Sequence, residues 1–268
     1  MMKIGVLGTG QISSALVEGF CTAGTEMTSE EQMHFYVSPR NQEKAAKLAE
    51  KYPGQVTVCA SNQEVLDRAS DWVILALIPH VAEEIIRPLK FYPEQKILSL
   101  ISDHPLERIK EWTGPVKKAI RMVPLPFAEL HIGPIASCPP DPEIREWFAP
   151  LGQLIELEDE SALNTILTMT ALMSPFYLLI HHTTEWGKAH GMTDRASLDY
   201  MSSFFEALSV MAKNAPDSAA VAELCYDTTK GGLNESAYKY ITKQGGYDTW
   251  LEALDAVKAR LDKADPNA

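Results

Sequence analysis

The chain has 268 residues, 46% of them hydrophobic and 22% charged, and a formal net charge of −12. That length favours two domains over one, and the apolar share supports an ordinary packed core. The negative balance disfavours non-specific nucleic-acid binding, so no nucleic-acid partner is expected.

The first fifteen residues, MMKIGVLGTGQISSA, run from an apolar stretch at 4–7 through Gly8 and Gly10 into a helical pattern. This reads as strand, tight turn and helix start, the way a Rossmann-type domain presents its first helix to a dinucleotide pyrophosphate. Gly8 allows the turn, and Gly10 removes the Cβ that would block the phosphates. Free N–H groups at the helix start, around Gln11 and Ile12, then face the anion. Ser13 stands where the fingerprint has its third glycine, and its small size preserves close helix–strand packing. The alternative is a glycine turn in a phosphate-free α/β domain.

A second strand at 34–37 leads into Ser38-Pro39-Arg40-Asn41, with no acidic residue to accept from a ribose 2′-OH. A hydroxyl from Ser38, a guanidinium from Arg40 and an amide from Asn41 suit a 2′-phosphate, which favours NADP(H) over NAD(H). A solvated loop with a surface arginine is the alternative. Helices are predicted at 11–23, 41–51 and 62–69, and strands at 57–59, 72–77, 96–100 and 118–122. Short segments at 132–137 and 153–157 extend the sheet, with a helix at 141–149 between them. Such alternation with continuous apolar strands predicts a parallel sheet covered on both faces.

After residue 157 the strand signals stop, and helices are predicted at 160–173, 174–190, 193–214, 219–226, 234–243 and 247–261. Gly191 suits a helix end and Thr193 caps the next helix. The expected fold class is therefore α/β: a Rossmann-type, doubly wound parallel sheet over 1–157, then an all-helical dimerisation domain over 158–268. The apolar stretch 163–180 is broken by Asn164, Ser174 and Pro175, and reads as a buried helix rather than a membrane span. Phe176, Tyr177, Leu178, Leu179 and Ile180 are too apolar for a solvated face and predict a homodimer through this domain. Strand one starts almost at the N-terminus, so no signal peptide and a cytoplasmic location are expected.

Cys21, Cys59, Cys138 and Cys225 contain no CxxC pair and predict neither a disulfide framework nor a zinc site. Cys21 and Cys59 read as small core residues. The neighbours His181 and His182 point to different helix faces and cannot chelate together. Either shares a face with Glu185, which reads as a polar patch at a subunit interface. His80 follows Pro79 at a strand end, within reach of a cofactor. No metal is expected.

Four stretches resemble the pyrroline-5-carboxylate reductase family over nearly the whole chain. They are Gly8-Thr9-Gly10-Gln11-Ile12 with Ala15, Ala76-Leu77-Ile78-Pro79-His80, Arg121-Met122-Val123-Pro124, and Lys230-Gly231-Gly232-Leu233-Asn234 followed by Gly245-Gly246-Tyr247. The resemblance implies an NADP(H)-dependent imine reductase, with Ala76, Ile78 and Pro79 beside the nicotinamide. It also implies a substrate site at Gly231, Gly232, Leu233 and Leu125, with Asn234 in the catalytic position. Several positions depart from the family pattern. Asn234 replaces a Thr, Leu125 an Asn, Phe127 a Pro, Ile78 a Lys and Asp103 a Gly, and residues 171–175 match the Ser-Gly-Ser-Gly-Pro segment poorly. The cofactor half is the better preserved, which implies a relative with a different imine substrate, or one acting only weakly on pyrroline-5-carboxylate. Leu125 and Phe127 suggest a more apolar pocket.

Imine reduction asks little of a protein: the cofactor supplies hydride, and the site holds the imine carbon near it and fixes the carboxylate. Backbone N–H groups around Gly231 and Gly232 suit that carboxylate, and the Asn234 amide suits the imine nitrogen. A plain loop between helices is the alternative there. Other readings are a β-hydroxyacid dehydrogenase using Lys188, a deazaflavin-dependent NADP reductase, or an NADP-binding protein without catalysis.

Overall fold

The computed structural model describes residues 1–23 and 33–264. Its contacts form two units, Met1–Leu167 and Thr168–Lys263. The first unit carries β1 (Met2–Leu7), β2 (Met33–Val37), β3 (Val56–Val58), β4 (Trp72–Leu75), β5 (Lys96–Ser99), β6 (Lys118–Val123), β7 (Pro134–Cys138) and β8 (Gln153–Glu156). They form one sheet in the order β3-β2-β1-β4-β5-β6-β7-β8. Six strands are parallel, whereas β7 runs antiparallel to β6 and pairs β8 in parallel. The expected parallel sheet is therefore reversed at one edge. The link from β6 to β7 holds only a short 3-10 helix, Pro126–Leu130, and is too short for a parallel crossover.

The helices of this unit are α1 (Gln11–Ala23), α2 (Gln42–Lys51), α3 (Asn62–Arg68), α4 (Pro79–Ile86), α5 (Leu106–Thr113), α6 (Pro142–Phe148) and α7 (Glu160–Thr170). Of these, α4 and α5 are not among the predicted helices. Their signals are present: α4 starts at Pro79 and buries Ala82 and Ile86, while α5 buries Leu106, Ile109 and Trp112. Each is only eight residues long, so its period competes with the surrounding loops.

All four residues of β4 are buried, as a central parallel strand requires. One sheet face packs Phe20 against Trp147 and Phe148 at ring separations of 5.2 and 5.1 Å, with Trp72 at 5.6 Å from Trp147. Each such side chain contributes about 1.5–3 kcal/mol by leaving water. The other face gathers Leu75, Ile97, Ile109 and Trp112. On α7, Leu163 packs with Val123, Ala136 and Cys138, which ties the start of that helix to the first unit.

A polar cluster anchors α6. Asp141 caps the helix, its Oδ1 accepting from the N–H of Glu143 (3.0 Å) and Ile144 (3.2 Å), and it pairs with Lys118. Glu143 accepts from Trp72 Nε1 at 2.8 Å and pairs with Lys96. Burial raises both carboxyl pKa values, but the Lys118 and Lys96 contacts, with the other donors, outweigh it and hold both below the ordinary range. A depressed folded pKa means stability that is present above the unfolded value and lost as pH falls through the folded one. Unfolding by urea should therefore show stability falling below about pH 4.5. Asp141→Asn, which keeps a capping oxygen, should flatten that fall. An unchanged pH profile in this variant would remove Asp141 from the account.

Further along the sheet, Arg121 of β6 is 2% exposed. It donates to the Ser102 carbonyl and lies 3.3 Å from the Glu160 carboxylate. Glu160 also accepts the Leu106 N–H at 3.1 Å, so one carboxylate serves a buried cation and the start of α5.

The second unit contains α8 (Met173–Ala189), α9 (Asp194–Lys213), α10 (Ser218–Leu224), α11 (Leu233–Lys243) and α12 (Gly246–Ala264). Thr193 caps α9 by accepting the Ala196 N–H at 3.3 Å. Helices α8 and α9 meet closely at Gly187, where a Cβ would stand 2.3 Å from Ser197 Oγ. The expectation of a buried helix over 163–180 is corrected here. Leu163 is buried, but Tyr177 and Leu178 are 54% and 56% exposed in the single chain. Helices of one copy do not cover these faces. Within Glu160–Ala189 an 18-residue window reaches a mean hydropathy of 1.5, in the range of a membrane span. The stretch is two helices, with a turn at 171–172 between them.

Candidate nucleotide-binding site

Gly8 ends β1 at φ +99°, and a Cβ there would lie 2.3 Å from the Ala76 carbonyl oxygen. Only glycine permits so close an approach between the ends of β1 and β4. The Ser13 hydroxyl accepts the Gly10 N–H at 2.9 Å and donates to the Gly8 carbonyl at 2.7 Å. Ser13 is thus more than a small residue, because it ties the turn with bonds that glycine cannot make. Gly10 differs from Gly8: a Cβ added to it meets no atom within 4 Å. The protein's own packing does not demand glycine there.

A cavity of about 480 Å³ opens in front of this turn. Gly8, Thr9 and Gly10 form one wall, Arg40 and Asn41 a second, and Ala76 and Ile78 a third. These predicted cofactor residues thus come from the ends of three adjacent strands. Gln11 and Ile12 begin α1 beside the turn, and Pro79 begins α4 beside Ile78. Arg40 is exposed and makes no ion pair among the described residues. The Asn41 side-chain oxygen accepts the Lys44 N–H at 3.3 Å and caps α2, which leaves its amide NH₂ for a ligand. Ser38 departs from expectation. It is 1% exposed and accepts the Gly8 N–H at 2.9 Å, so it holds the turn instead of facing a 2′-phosphate.

Thr9, which the sequence does not single out, is 3% exposed, and its Oγ1 has no hydrogen-bond partner among the described residues. A buried orphan hydroxyl costs stability unless something else satisfies it. With the open space at Gly10 and the unpaired Arg40, it makes the wall rich in donors, and no carboxylate lines it. This donor set fits a phosphate-bearing dinucleotide.

The other predicted site residues are found in two places. Leu125 is half-buried in the first unit, immediately before the 3-10 helix. In the second unit Gly231, at φ +75°, and Gly232 precede α11. Their N–H groups are already engaged, contrary to expectation: Gly231 donates to the Glu235 carboxylate and Gly232 to the Thr229 carbonyl at 2.8 Å. The Lys239 contact, then the Gly231 N–H, hold the Glu235 carboxyl below its ordinary range. The N–H groups that the helix start leaves unsatisfied are those of Leu233, Asn234 and Glu235. Leu233 is 89% exposed, and Asn234 is exposed as well.

The His181 and His182 rings lie 5.3 Å apart and tilted at 53°, while Glu185 pairs with Lys188 at 2.7 Å. Among the described residues neither histidine bonds to Glu185. Glu185 and Asp194 push the Lys188 pKa up to about 12, far from the range a proton-transfer lysine needs. His80 is exposed and does not line the cavity. Burial pushes the Cys21 thiol up to about 12 and Cys59 to about 11, which makes both inert core groups. No cluster of three metal-ligating side chains occurs among the described residues.

The family described as "NADP oxidoreductase coenzyme F420-dependent" matches residues 3–102, the strands and helices that build the cavity. Pyrroline-5-carboxylate reductase 2 of Bacillus subtilis is 31% identical over 126 residues, which span 46% of this chain and 43% of that protein. Pyrroline-5-carboxylate reductase of Pseudomonas aeruginosa is 22% identical over 96% of this chain and 95% of its own. The crystal structure of Plasmodium falciparum pyrroline carboxylate reductase with NADP bound shares the fold, with a TM-score of 0.81 over 98% of each chain at 16% identity. In its sequence matches the chain is similar to pyrroline-5-carboxylate reductases, and its first 102 residues to an NADP-dependent oxidoreductase family, while the solved structure shows that it shares their fold.

Proposed function

We propose that the protein reduces the C=N bond of a small cyclic imino acid with NADPH, taking pyrroline-5-carboxylate to proline or acting on a related imine. The observation that carries this reading is the donor-lined cavity, where Arg40 and Asn41 stand and no carboxylate awaits a ribose 2′-OH. Bound NADPH would supply the hydride. The residues of the chain bind and orient. The glycine turn and the start of α1 suit the pyrophosphate, Arg40 and the Asn41 amide the 2′-phosphate, and Ala76, Ile78 and Pro79 the nicotinamide side. On the second unit, the free N–H groups at the start of α11 suit a substrate carboxylate, and the Asn234 amide suits an imine nitrogen. An amide is a poor general acid, so the proton reaches nitrogen from water or arrives with the iminium. The exposed apolar faces of α8 and α9 support a homodimer through the helical unit, working in the cytoplasm without nucleic-acid or membrane partners.

The test follows NADPH and NADH oxidation with pyrroline-5-carboxylate and a panel of other cyclic imines. Turnover with any imine supports the reading. NADPH binding without turnover across the panel would favour a cofactor-binding protein that lacks catalysis. Arg40→Ala should raise the KM for NADPH about tenfold, because a charged hydrogen bond is lost, and leave NADH within about twofold. Equal effects on both cofactors would take the 2′-phosphate away from Arg40.

A further inference from the structure

A second cavity, of about 290 Å³, adjoins the first through Arg40, which lines both. Its walls are Pro39 and Arg40 after β2, Asn62 at the start of α3, and Val81, Glu84 and Ile85 from α4. Val81, Glu84 and Ile85 share one helix face by their spacing. Pro39, Val81 and Ile85 form apolar walls suited to a flat ring. Glu84 stands out among them. Its neighbour Glu83 pairs with Arg87 at 2.6 Å, whereas Glu84 has no ion pair or hydrogen bond among the described residues. An ionised carboxylate only accepts hydrogen bonds. Exposed as it is, it meets water in the free protein and is open to a donor on whatever fills the cavity.

This inference rests on the NADPH reading. With the pyrophosphate at the glycine turn and the 2′-phosphate at Arg40, the base is the next part of the cofactor. Adenine carries an exocyclic amine, a donor, where hypoxanthine carries a carbonyl, an acceptor. We propose that Glu84 accepts a hydrogen bond from the adenine exocyclic amine and so selects the adenine dinucleotide. A carbonyl in place of the amine sets an acceptor against an acceptor, so the analogue loses the hydrogen bond.

The experiment titrates the full-length protein with NADPH and with its hypoxanthine analogue. The two ligands carry equal charge, so the ratio of their dissociation constants cancels any general repulsion by Glu84. Wild type should bind NADPH about tenfold more tightly than the analogue, the size of one charged hydrogen bond. Glu84→Ala should bring the ratio near one, and Glu84→Gln, which keeps a carbonyl acceptor, should retain part of it. Glu84 is exposed, so both variants should melt with the wild type. A wild type that binds both ligands equally, or a Glu84→Ala variant with the wild-type ratio, overturns the proposal alone. A wild type that binds neither ligand overturns it together with the cofactor reading.

Discussion

Gly10→Ala should leave the melting temperature unchanged and weaken NADPH binding tenfold or more, whereas Gly8→Ala should damage the fold itself. The added Cβ at Gly10 meets nothing within 4 Å, so the folded chain does not resist it. The same methyl would occupy the space that a pyrophosphate needs in front of α1. At Gly8 the methyl would stand 2.3 Å from the Ala76 carbonyl, on a backbone held at φ +99°. Strain and overpacking together cost about 3 kcal/mol or more, a fall of roughly 6–12 °C in melting temperature. Calorimetry and nucleotide titration on the two variants separate these effects. Loss of stability in Gly10→Ala, or full binding by it, would contradict the assignment of that space to the cofactor.

Glu160→Ala should cost about 3 kcal/mol, the penalty for leaving a buried cation without its counter-charge. Arg121 is 2% exposed, and its Nε has no partner among the described residues. Without Glu160 the guanidinium keeps, among the described residues, only the Ser102 carbonyl, and the Leu106 N–H loses its acceptor too. The neighbouring Glu158 is exposed and makes no ion pair among the described residues, so Glu158→Ala should stay within about 0.5 kcal/mol of wild type. Urea unfolding measures both. Equal midpoints for Glu160→Ala and wild type would show that the carboxylate does not compensate Arg121.

The candidate nucleotide site is legible in the sequence because its residues are local. Gly8, Gly10 and the start of α1 are contiguous, and Arg40 follows β2 at once. Ser38 was misread for the same reason. Its place after β2 made it a candidate for the 2′-phosphate, but the pairing of β1 with β2 sets its hydroxyl against the Gly8 N–H. Thr9 was passed over because an unpaired hydroxyl is visible only once every neighbour is placed. Gly231 and Gly232 were read as free donors, yet the fold of the loop commits one to Glu235 and the other to Thr229.

From the sequence alone came the Rossmann-type sheet, the change to helices, and the resemblance to an imine-reducing family. These rest on hydrophobic period, glycine placement and short motifs, which act over a few residues. Tertiary structure decided the reversal of β7 and β8, the pairing of Glu160 with buried Arg121, and the exposure of the α8 apolar face. Each depends on contacts between residues far apart in the chain, where sequence spacing carries no information about which groups meet.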